Sequence, residues 1–266
     1  MKSLALATFA AVTLVLPLAA VPPARAADPA KLVAATRTLE REAFAEHLDG
    51  LIQARADLEA MSNAEPESAV LHTWMATAAW RLVPRVKDAK QAERFCKDGL
   101  RHAEQALKLD SKNAEALALK ASLQGMSLRF DPGAMMTIGP EIGSNMNRAL
   151  QLAPENPRVL LIDAINTANK PAFVGGGADR ALPKFKKALE RFDTAAAPAD
   201  STAPAWGKLD ALIWAGRTSA DLEDPAAARG YYERALAIDP ANGWVRGSLL
   251  PALAQPGQAP VEKGKS

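Results

Sequence analysis

Three histidines, one cysteine and a run of three glycines are the residues of this chain most able to do chemistry, and their spacing argues against most of it. His47, His72 and His102 lie far apart, with no His-x3-His or Cys-x2-Cys pair to bring two ligands onto one metal. Cys96 is the sole cysteine; it closes no disulfide within the chain, and a small buried apolar side chain is its expected role. No Gly-x-Ser-x-Gly elbow or triad spacing appears. The carboxylate groups Glu40/Glu42 and Asp221/Glu223/Asp224 read as solvated faces or helix ends. Gly175-Gly176-Gly177 is followed by no Gly-Lys-Ser/Thr and preceded by no strand, so it reads as a turn with positive φ rather than a phosphate cradle. The residues call for no metal, no cofactor and no catalysis.

Apolar residues in the wrong places are more informative. Met135, Met136 and Ile138 fall in FDPGAMMTIGP (130–140), and Phe173 and Val174 in KPAFVGGG (170–177), both punctuated by Gly and Pro as loops are. Two readings stand. The loops form an apolar lip that closes over a ligand or partner, or each folds back and buries its apolar side chains locally. Trp74, Trp80 and Trp214 recur at core-like helical spacing.

The elements that must position these residues are helices. Near the C-terminus, LDALIWAGRTSADLEDPAAARGYYERALAIDP holds Gly216, Ala228, Tyr232, Ala235 and Pro240. Gly216 and Ala228 let two antiparallel helices cross closely, Tyr232 and Ala235 share one face of the second, and Pro240 lies where that helix must stop. Ala181, Phe185 and Ala188 repeat the spacing upstream, with Ala164 as the small residue of the preceding helix. A third unit has Ala121, then Met146, Ala149 and the closing Pro154; a fourth has Trp74 and Ala78, then His102, Ala103 and Ala106.

This pattern resembles the tetratricopeptide repeat family, whose units of roughly 34 residues pair a small residue in helix A with Ala-x3-aromatic-x2-Ala in helix B. The resemblance spans residues 67–254. It implies an all-α fold of antiparallel helix pairs stacked as a right-handed superhelical solenoid. It also implies a partner held on the concave face, along helix A of each unit. Counted from the small residues, His72, Met75, Arg158, Asn166, Asn169, Arg217 and Asp221 are the groove-facing set, suited to a peptide. The same architecture occurs in exported proteins associated with periplasmic solute transporters, so a small-molecule ligand is the alternative to a protein or peptide partner.

The ends complete the plan. Lys2, an apolar run from Leu4 to Ala20 and Ala24-Arg25-Ala26 read as a secretory signal over residues 1–26, with no lipid-accepting cysteine after it. The mature chain is expected in the periplasm or outside the cell, with no stable membrane insertion. Residues 27–66 read as two helices, either a cap or a degenerate repeat, residues 243–254 as a capping helix, 194–204 as a linker and 255–266 as a disordered tail. The formal charge is +2 and falls to zero once Lys2 and Arg25 leave with the signal, which gives nucleic acid no basic surplus to bind.

Overall fold

The computed structural model describes residues 28–195 and 206–254. The signal reading, most of the linker and the C-terminal tail lie outside them. Over the described residues the chain is helical: α1 (Pro29–Arg41), α2 (Asp49–Ala64), α3 (Ala69–Leu82), α4 (Ala89–Leu109), α5 (Ala114–Ser127), α6 (Met135–Leu152), α7 (Pro157–Asn169), α8 (Ala178–Thr194), α9 (Lys208–Asp221) and α10 (Pro225–Ile238). Consecutive helices pack in pairs, and a π-type turn at Val245–Leu249 closes the array with Val245 and Leu249 buried.

Local chemistry sets the helix starts. Asp28, Ser68, Asn113 and Asn156 each accept a backbone N–H at the head of α1, α3, α5 and α7, satisfying donors that a helix start leaves open. One turn precedes several of them. The amides of Ser68, Asn113, Asn156 and Asn242 donate to the carbonyls of Glu65, Asp110, Ala153 and Asp239 at 3.1–3.2 Å. Pro154 and Pro240 stand second in that turn, where a fixed φ is favourable. They terminate α6 and α10 in this way, while Asn156 and Asn242 supply the next start.

Packing follows the repeat pattern closely. Ala121, Ala149, Ala164, Ala181, Phe185, Ala188, Ala228 and Ala235 are fully buried, and Tyr232 is 1% exposed. A Cβ added at Gly216 would stand 2.3 Å from the Tyr232 ring, so the missing side chain is what admits the aromatic. Gly99 plays the same part for α4: its Cβ would lie 2.5 Å from that of Ala79. Helices α3, α5 and α7 are buried over most of their surface, whereas α4 and α8 bury one stripe and face water with the rest.

One element differs from the sequence reading. Residues 130–140 are not a loop: a 3-10 turn at Pro132–Ala134 runs straight into α6 at Met135. Pro132 occupies the first position of that turn, where its missing N–H costs nothing. Pro140 lies inside α6 and forgoes a donation to the Met136 carbonyl, a loss that water can make good at so exposed a residue.

The stack also curls back on itself. Arg81 at the end of α3 and Asp210 at the start of α9 are 129 positions apart in sequence, yet their side chains pair at 2.8 and 3.2 Å with almost no exposure. Trp80 meets Trp206 at 5.6 Å, and Phe44 stacks on Trp244 at 5.8 Å. Arg85 donates to the carbonyls of Glu42, Ala43 and Ala45 and so ties the end of α1 to the end of α3.

Candidate functional site

That closure decides which surface can receive a partner. In the concave centre Arg81 lies against both Trp80 and Trp206, at 5.7 and 5.2 Å from the ring centres, with its two terminal nitrogens on Asp210. Each charge suits its place, a cation at a helix C-terminus and an anion in a first turn. Glu40 of α1 approaches the same centre; burial pushes its carboxyl above the usual range, against the pull of Arg81. Next to it, Trp80 Nε1 donates to Ser122 Oγ, which donates to Asn166 Oδ1.

The seven groove residues therefore have varied fates. His72 and Met75 do not line a groove; they are 5% and 0% exposed, packed inside the first helix pairs. Counting from a small residue assigns them to the concave side, but from Leu71 onward α3 is buried on every side, so no face of that stretch is left for solvent. Arg158 is committed to Glu115 at 2.6–2.8 Å, and Asn166 to Ser122. Arg217 is stacked on Trp214 and Trp244 at 4.5 and 5.3 Å. Asn169 donates to the Ile165 carbonyl and, with Asp221, stays exposed at the end of its helix.

His72 enters a different arrangement. Its Nε2 lies 2.9 Å from the Pro66 carbonyl, its Nδ1 lies 2.8 Å from Nδ1 of His102, and Arg101 reaches Nε2 of His102 at 2.8 Å. Burial drives the pKa of His102 down to about 4. Cys96 donates to the Leu123 carbonyl at 3.3 Å, and burial pushes its thiol up to about 11, as suits a packing residue.

The apolar lip has the opposite character. Met136 is 85% exposed and Phe173 88%; Met135 and Val174 are exposed beside them. Local packing does not absorb these side chains. Both pairs sit where helix A gives way to helix B, in consecutive helix pairs, so they emerge on one edge of the stack; Leu222 extends the row in the pair after. The second lip segment is built by glycine. Gly175 and Gly177 have φ of +86° and +118°, and a Cβ at Gly176 would strike the Lys170 carbonyl. The amides of all three donate to the carbonyls of Ala172, Pro171 and Thr167, so none is left to bind phosphate. In the first segment Gly139 leaves space beside the Met135 sulfur.

No family model matches this chain, and no curated protein does. Among solved structures it is similar to the HusA haemophore from Porphyromonas gingivalis, with a TM-score of 0.61 and 21% identity over 74% of this chain and 96% of that one. It is equally similar to TTC0263, a thermophilic TPR protein in Thermus thermophilus, with a TM-score of 0.60 and 14% identity over 86% of this chain and all of that one. The fold is the all-α tetratricopeptide-type repeat solenoid.

Proposed function

From this fold, we propose that the chain is an exported, non-catalytic binding protein that holds a protein or peptide partner against the apolar edge formed by Met135, Met136, Phe173 and Val174. The observation that carries the reading is the exposure of Met136 and Phe173 on neighbouring helix pairs, at 85% and 88%. Isolated apolar residues on a surface mean little, but large apolar side chains exposed at corresponding turns of neighbouring helix pairs suit a contact site. Unbranched methionine adapts to the shape presented to it. The concave face, the usual seat of a peptide in this fold, is closed here by side chains that already have partners.

A small apolar molecule is the second reading, and a specific observation favours it: one of the solved structures the chain resembles is a haemophore. A thioether pair beside an exposed phenyl ring also suits a flat apolar ring system. Native mass spectrometry of the protein isolated from the periplasm separates the two. A protein adduct lost in Met136→Ser/Phe173→Ser supports the first; a small-molecule adduct, or haemin titrating to saturation with the same loss, supports the second. A bare chain with unchanged behaviour in the double variant would sink both. Export itself predicts a mature N-terminus at Ala27, which Edman sequencing or intact mass checks.

A further inference from the structure

We propose that the Arg81–Asp210 pair is a releasable clasp, and that the closed solenoid is one of two folded states, the other opening the concave face. Three observations lead there. First, the contact joins helix pairs that are not neighbours. Each pair is packed by its own residues, as Gly216 on Tyr232 and Gly99 against Ala79 show, so parting α3 from α9 leaves every pair intact. A helical stack draws its stability from each unit and its nearest neighbours, so the open form remains folded.

Second, the clasp is a nearly buried ion pair with 4% and 6% side-chain exposure. Such pairs roughly break even against apolar packing, so they contribute little net stability. This one is also incomplete: Nε of Arg81 is buried without a hydrogen-bond partner among the described residues. Third, the surface it covers mixes polar groups with the buried rings of Trp80 and Trp206. Glu40, Ser122, Asn166 and Asp210 converge there, with Arg37 of α1 and Arg158 of α7 nearby, and all of these groups can be hydrated when exposed. Opening therefore uncovers polar groups flanked by Trp80 and Trp206, a surface of the kind that takes an extended segment.

The test uses the full mature chain with Asp210→Ala, Asp210→Asn and Arg81→Met. Small-angle scattering should show a larger radius of gyration in all three, with helical circular dichroism unchanged and faster amide exchange in α3 and α9. Acetate, but not chloride at equal ionic strength, should restore the compact form of Asp210→Ala by supplying the missing carboxylate, and should leave Arg81→Met open. The comparison is repeated with Glu40→Gln in the Asp210→Ala background, since the Glu40 carboxylate interacts with Arg81. Wild-type dimensions and exchange in every variant would overturn the proposal. So would a loss of helical signal together with compactness, because the closed form would then be the only folded one. Neither result depends on the apolar edge.

Discussion

At the scale of single residues, the buried histidines give the sharpest expectation. A carbonyl only accepts, so Nε2 of His72 carries the proton that faces Pro66, and its Nδ1 accepts from Nδ1–H of His102. His102 Nε2 is then the acceptor for Arg101. Burial holds the His102 pKa down to about 4 in the fold, against 6.5 for the free side chain. The unfolded chain binds the proton first as pH falls, so stability is full above about 6.5 and drains away towards 4. The loss amounts to on the order of 3 kcal/mol across that window. Urea titrations at pH 7.5, 6 and 5 should show it, and His102→Gln should flatten it; an equal slope in the variant would place the effect elsewhere. Cys96 offers a simpler check. With its thiol held near 11 and its side chain 1% exposed, it should resist a disulfide reagent in the native protein and react at once in urea.

At the scale of the helix pair, the closest crossing can be tested by inverting a sign. Alanine normally stabilises a helix over glycine by about 0.5–1 kcal/mol. Gly230, on the open side of α10, should follow that rule, since nothing lies near its missing Cβ. Gly216→Ala should instead cost about 1–3 kcal/mol, because the new methyl meets the Tyr232 ring. Tyr232→Ala removes that ring from a fully packed site and should cost roughly 3–5 kcal/mol. Thermal melts of the three variants decide it; Gly216→Ala melting above the wild type would mean that the crossing is looser than described. These residues were legible in sequence because small and aromatic residues at helical spacing have few other uses. Met136 and Phe173 were legible as misplaced apolar residues, but their exposure was not, since composition does not say whether a neighbour covers them. The start of α6 misled because Pro132, Gly133, Gly139 and Pro140 carry loop chemistry, while the hydrogen bonds that fix a helix are a property of the whole segment. The groove residues misled for a larger reason: periodicity reports which side of a helix points inward, not how far the stack curls.

At the scale of the whole molecule, that curl changes how the protein should come apart. An open stack of helix pairs has only nearest-neighbour interfaces, so its ends fray independently and mutations far apart add. Here the residues after α1 touch the turn after α10: Phe44 stacks on Trp244 at 5.8 Å, and Arg217 bridges Trp244 to Trp214. The two ends thus stabilise each other directly. Phe44→Ala and Trp244→Ala should each destabilise the chain, and the double variant should fall short of their sum by about 0.5–1.5 kcal/mol, the usual coupling of an aromatic pair. Hydrogen exchange carries the same argument further. In the wild type, α1 and α10 should lose protection together, although they are the first and last long helices of the array. In Phe44→Ala the two should separate, each exchanging with the opening free energy of its own neighbourhood. If α1 and α10 already exchange independently in the wild type, and the double variant is additive, the ends are in contact without being coupled, and the molecule behaves as a linear repeat array despite its closed form.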